Sequence, residues 1–223
     1  MYKSISTSSD AKEIGVNNGI YQVELIEKKS FISIEEKKYY EEYFNGNVES
    51  FLIENWRNIK KDKLSILTYF PLKKAKETDF ISFSPNELGL NFIVSQKVID
   101  IFESFNLSDF IKIPSKIEGF INNYYTIGFP VTNYKYLDFS KSVFCDYQGN
   151  QKLINTYEEY DEKRYDLKIK KLKLINKINS NSNKINSNII YSQIDGLFFS
   201  IELIERLGQQ NIAGFQTLNT ELE

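Results

Sequence analysis

The chain has 223 residues, 41% of them hydrophobic and 26% charged, with a formal net charge of −2. That balance describes a globular chain long enough to bury a sizeable core, and it excludes a low-complexity or strongly charged polymer. With no histidine and a single cysteine, Cys145, the chain also excludes Ser-His-Asp and Cys-His nucleophile systems, the usual His-containing zinc sites and an internal disulfide.

Residues 1–17 are polar and read as a loosely ordered terminus. They lack the apolar core of a secretory signal, and no stretch reaches the roughly 18 apolar residues of a membrane span. A cytoplasmic location is therefore expected. Residues 19–27, GIYQVELIE, alternate Tyr21, Val23 and Leu25 with Gln22 and Glu24, the period of a strand. Lys28-Lys29-Ser30 reads as a turn into FISI. The period then changes in EEKKYYEEYF, residues 35–44. Tyr39, Tyr40, Tyr43 and Phe44 share one helical face, opposite Lys37, Lys38, Glu41 and Glu42, and Asn45-Gly46 closes the helix. VESFLIENW reads as a short helix ending near the only tryptophan, Trp56, and KLSILTYFPL, residues 63–72, as a strand stopped by Pro71.

A phrase then occurs that the chain repeats. Asn91 to Ile113 and Leu197 to Leu218 align with Ser95 on Ser200, Ile99 on Ile204, Asn106 on Asn211 and Phe110 on Phe215. Each copy reads as a strand, a serine cap, an amphipathic helix, a tight turn and a second strand, which in the first copy Pro114 ends. The spacing is too wide for a solenoid. Either two generic units share a pattern, or one supersecondary unit is duplicated within a domain. In both readings Ser95 and Ser200 are caps.

Between the copies, residues 124–155 carry short aromatic runs separated by turn signals, the mark of an antiparallel meander. DYQGN, residues 146–150, lacks the spaced carboxylates of a calcium loop and reads as a hairpin turn. Residues 158–188 alternate Leu167, Ile169, Leu172 and Leu174 with lysines before an Asn/Ser-rich loop, which favours a charged edge strand. No G-x-G-x-x-G, P-loop or G-x-S-x-G motif is present. The expected fold class is α+β: a mainly antiparallel twisted sheet with a few helices and two similar strand–serine-cap–helix–strand units. Residues 18–223 are expected to form a single domain, with an N-terminal part 18–87, a C-terminal part 88–223 and a basic hairpin insertion at 163–188.

The repeated phrases also carry a resemblance. FIVSQKVIDIF, together with FFSIELIERL and IAGF near the end, resembles a bacterial immunity-protein family of polymorphic toxin systems, formerly a domain of unknown function. TNYKYLDFSKS, residues 132–142, is similar to that family's Asn…Asp…Ser stretch at Asn133, Asp138 and Ser140 or Ser142. TDFIS, residues 78–82, and the upstream FNGN…W fit more loosely. The likeness covers roughly residues 40–218. It departs at IIYSQ, where members often carry an aromatic-Arg pair. The resemblance implies a protein that binds a toxin encoded beside it, often a nuclease, with no catalytic residue, cofactor or metal of its own.

Charge is unevenly distributed. Residues 163–188 hold eight Lys/Arg against one Asp, a net of +7, which leaves −9 on the rest of a chain whose total is −2. An acidic protein would be steered towards a basic nuclease. Tyr and Trp are favoured interface anchors, so the candidate partner-binding patch is Glu35, Glu36, Tyr39, Tyr40, Tyr43 and Trp56. The competing reading is that this stripe packs on the core. The basic run reads as a solvated edge, and neither a nucleic-acid nor a membrane partner is expected. Three functions remain open: stoichiometric occlusion of a cognate toxin, an adaptor or structural role with another protein, and an enzyme using only Asp, Glu, Lys or Tyr.

Overall fold

The computed structural model describes residues 1–17, 21–45, 51–52, 55–87, 89–107, 110–132, 138–145, 150–163, 171–174, 188–192 and 196–222. The protein is α+β. Packing divides it into two compact units, one of residues 6–130 and 204–216, the other of residues 1–5, 131–203 and 217–223. The division does not follow the expected boundary at 87/88. Among the described residues, no helix is long and apolar enough to cross a membrane.

The N-terminus is structured, against expectation. It forms β1 (Tyr2–Thr7) and α1 (Ala11–Ile14), with Asp10 accepting a capping bond from the Lys12 N–H at 2.8 Å. Ile5, Ile14 and Val16 are buried, and the Ser8 N–H donates to the Gly214 carbonyl at 2.8 Å. These anchors lie some two hundred residues away in sequence. Local polarity could not reveal them.

The larger unit is built on a seven-stranded mixed sheet. Its strands are β2 (Val23–Leu25), β3 (Leu67–Pro71), β4 (Phe80–Ile81), β5 (Phe83–Ser84), β6 (Phe92–Ser95), β7 (Ile111–Ile117) and β8 (Tyr124–Gly128). The order β4-β6-β8-β7-β3-β2-β5 contains four antiparallel pairs, with β2/β5 and β3/β7 parallel. Its two edge strands, β4 and β5, are separated in sequence by Ser82 alone. The edges must therefore approach each other, and the sheet curls into a nearly closed barrel. The Ser82 carbonyl accepts from the N–H groups of Gln22 and Val23 at 2.9 and 3.2 Å.

Inward and outward positions alternate along β7: Ile111, Ile113, Ser115 and Ile117 are buried while Pro114 and Lys116 are exposed. Pro114 does not end the strand as expected. Pairing with β3 begins at Ser115, beyond the proline, so its missing N–H is not required on that side. The polar groups inside are satisfied by one another. Thr126 Oγ1 lies 2.8 Å from both Tyr69 Oη and Ser115 Oγ, and its N–H donates to Ser115 Oγ at 2.9 Å.

Three helices belong to this unit alone besides α1: α2 (Glu27–Ser30), α3 (Ile34–Phe44) and α4 (Gln96–Ser104). In the smaller unit, β9 (Ser142–Cys145) lies between β10 (Gln151–Lys152) and β11 (Lys171–Leu174), and α5 (Tyr157–Lys163) packs Tyr160 on Phe144 at 5.7 Å. The basic stretch thus places an edge strand on β9; residues 164–170 and 175–187 lie outside the described residues, as does most of the 146–150 turn. A second sheet follows the order β12-β13-β1-β14, with β12 (Ile189–Ser192), β13 (Gly196–Ser200) and β14 (Phe215–Leu222), and α6 (Ile201–Gln209) continues directly from β13.

The repeated phrases adopt the same element order. α4 and α6 each have nine residues, and each is followed by an asparagine at positive φ, Asn106 at 54° and Asn211 at 50°. Beyond them, Leu107 N–H reaches Phe102 O and Ile212 N–H reaches Leu207 O, both at 3.1 Å. This is the same left-handed helix stop, and asparagine is the residue other than glycine that tolerates it best. The serines differ. The Ser200 hydroxyl accepts the Leu203 N–H at 3.2 Å as a cap should. Ser95 makes no side-chain cap; its hydroxyl donates to Asp79 Oδ1 at 2.7 Å. Donating to a side-chain acceptor does not by itself prevent capping, since Ser200 also donates, to Asn188 Oδ1 at 3.1 Å; at Ser95 the bond to Asp79 is the one the hydroxyl makes.

Candidate functional site

The N-terminus of α3 is set by a short local code. Ser33 Oγ accepts the Glu36 N–H at 3.1 Å, and Glu36 Oε2 reaches back to the Ile32 N–H at 2.9 Å. This is a variant of the capping box, shifted one residue outward. Glu36 Oε1 also accepts the Ser65 N–H. Glu36 is buried and fully occupied by backbone donors, so it is not available to a partner.

Tyr40 and Trp56 are also core residues, 3% and 7% exposed. They belong to a continuous row of rings, Phe31–Tyr40–Phe44–Phe51–Trp56, with successive centroids 5.0, 5.3, 5.4 and 5.7 Å apart. Glu36, Tyr40 and Phe44 recur at four-residue spacing and form the buried seam of α3. The expected patch is thereby corrected. Half of it is buried, because the helix turns Glu36 and Tyr40 inward and Trp56 packs on Phe51.

The other three residues remain at the surface. Glu35 is exposed, and Tyr39 and Tyr43 are half-buried, their rings tilted against each other by 34° with centroids 4.5 Å apart. Tyr39 Oη accepts the Lys60 N–H at 2.7 Å, which fixes its ring.

Sequence reasoning missed the corner that precedes α3. Ile32 and Ile34 are 83% and 71% exposed. They rim a groove of about 580 Å³ between α2 and α3, floored in part by Phe31. A signal for this was present. In a helix that starts at Ser33, an apolar residue at position 32 normally closes on the residue at position 37. Here that residue is Lys37, so Ile32 has no apolar partner to cover it. Lys37 instead bridges Glu27 at 2.6 Å and Glu41 at 3.6 Å. The hydrogen bond to Glu27, with further help from Glu41, pushes the Lys37 ammonium pKa up against the opposing effect of desolvation.

Beneath this corner the Tyr40 hydroxyl is buried and has no hydrogen-bond partner among the described residues. Burial, then the neighbouring Tyr69, Glu87 and Glu27, pushes its pKa well above the ordinary tyrosine value. The hydroxyl stays neutral and loses the bonds that water would give it. Replacing Tyr40 with Phe is therefore expected to raise the unfolding free energy by about 1 kcal/mol. A denaturant titration showing a loss of stability instead would mean that the hydroxyl has a partner.

Among the described residues, no group of three or more Cys, Asp or Glu side chains is arranged to hold a metal ion. The Asn133 part of the Asn…Asp…Ser stretch lies outside the described residues. Asp138 caps a single 3-10 turn by accepting the Ser140 N–H at 3.1 Å. What the α2–α3 corner offers is an apolar rim of Ile32 and Ile34 and a mixed set of charges; the Tyr39–Tyr43 pair is a separate surface feature of α3. Comparison with protein-family models and with curated protein sequences finds no match to either.

Proposed function

We propose that this protein is an immunity protein that binds a cognate toxin and blocks it by occupying its surface, without performing chemistry itself. The observation that carries this reading is the exposed pair Ile32 and Ile34 at the rim of the α2–α3 groove, with the exposed Glu35 next in the chain. Two large apolar side chains left in water at one groove rim are a surface that gains by being covered. The resemblance of the repeated phrases to the immunity family supports the choice of partner. The acidic balance outside residues 163–188 steers the chain as a whole towards a nuclease-type toxin with a basic substrate face, while the α2–α3 corner, whose charged lining sums to +1, meets a part of the toxin outside that face.

Growth of cells that express the toxin domain encoded by the neighbouring gene tests this. Co-expression of the full chain is expected to restore growth, and purified chain is expected to bind that domain in a one-to-one complex. Unrescued growth together with no complex would refute the reading.

A further inference from the structure

The geometry points to the α2–α3 groove as a docking site for a partner segment that places a large apolar side chain between carboxylates. This deepens the proposed function, and rests on it for the identity of the partner but not for the chemistry of the groove. The size is suitable: an open groove of about 580 Å³ has room for a large side chain laid against its apolar lining. Phe31, Ile32 and Ile34 present the apolar surface, and the most exposed two stand at its rim.

Charge selects the occupant. Five charged side chains line the groove, Glu27, Lys28, Lys37, Lys38 and Glu41. Their sum is +1, on a chain whose total is −2. Both acids are engaged by Lys37. Lys28 and Lys38 are exposed and have no carboxylate partner among the described residues. The groove therefore presents an apolar floor with two uncommitted ammonium groups beside it, and the complementary ligand is apolar with acidic flanks. Fully acidic or fully apolar segments would satisfy only half of the lining. A basic segment would meet two like charges.

The test uses the full chain and two synthetic hexapeptides, acetyl-Glu-Asp-Leu-Phe-Glu-Asp-amide and acetyl-Lys-Lys-Leu-Phe-Lys-Lys-amide. Binding is followed by amide chemical shifts and by protection of Lys28 and Lys38 from acylation. The acidic peptide is expected to bind about tenfold more tightly than the basic one, to shift residues 28–41 and to protect both lysines. Ile32→Ser with Ile34→Ser is expected to weaken it roughly thirtyfold, while Ile121→Ser, exposed elsewhere at 92%, leaves it unchanged. Both isoleucines are exposed, so the double variant is expected to melt as the parent does. Equal binding of the two peptides, shifts away from this corner or no effect of the double variant would each overturn the inference. So would a dimer in sedimentation that the same variant abolishes, because the occupant would then be a second copy. Binding of the neighbouring toxin domain is measured separately with the same variants. A complex that ignores the groove variants would overturn the docking site and leave the immunity reading intact; peptide selectivity without any toxin complex would do the reverse.

Discussion

Gly214→Ala is expected to lower the unfolding free energy by roughly 2–5 kcal/mol, the sum of left-handed backbone strain and overpacking. Gly214 sits at φ +88°, and a Cβ there would lie 2.2 Å from the Phe80 carbonyl oxygen and 2.8 Å from Thr78. Those neighbours have little freedom to yield. The carbonyl of the preceding Ala213 accepts from Asp79 and Phe80, its N–H donates to Asp79 Oδ2 at 3.0 Å, and the Gly214 N–H donates to Glu13 at 2.8 Å. The turn is pinned from three sides. Gly119→Ala provides the comparison, since Gly119 has φ +80° but open space where the methyl would go. It is expected to lose only the backbone component, about 1–2 kcal/mol. Equal losses in the two variants, measured by denaturant unfolding, would show that close packing at Gly214 contributes nothing.

Glu36→Ala is expected to cost roughly 3–5 kcal/mol of stability, because two backbone donors to a charged acceptor are lost together. The Ile32 N–H would lose its bond at the helix entrance, and the Ser65 N–H, distant in sequence, would lose its partner as well. Glu36→Gln keeps one carbonyl acceptor and is expected to lose about half as much. Affinity of the remaining folded protein for its partner is expected to stay within a few-fold in both variants, since the carboxylate faces the scaffold. Unfolding curves and calorimetric titration on the same preparations separate the two effects. A Glu36→Ala protein that melts like the parent and binds poorly would return Glu36 to the interface.

The contrast between Glu36 and Ile32 explains what could be read about the site. Sequence periodicity located α3 and its aromatic stripe, and the structure begins that helix one residue before the expected stretch. Which side of the stripe meets water could not be read. Tyr39 and Tyr40 are adjacent in sequence and chemically identical, yet one is half-buried with a bonded hydroxyl and the other is enclosed with no hydrogen-bond partner among the described residues. Their difference comes from the ring row running through Phe31, Phe44, Phe51 and Trp56, contributed by separate segments. An acid within an aromatic stripe looks like an interface from the sequence. Here it is the device that fastens the helix entrance to the segment before β3.

The repeat shows the same division. By itself the sequence determined an α+β chain without histidine chemistry, the helix and strand content of the two repeated phrases, and the tight turn that follows each helix. These depend on interactions within a few residues: alternation, helical periodicity and turn signals; that an asparagine at positive φ makes each turn is seen only in the structure. Tertiary structure alone decided that Ser95 bonds to Asp79 while Ser200 caps its helix, that Ser82 brings two sheet edges together, and that the polar N-terminus becomes a strand and a helix. It also left Ile32 and Ile34 in water. Each of these outcomes depends on which distant groups packing brings beside a residue, which local patterning cannot decide.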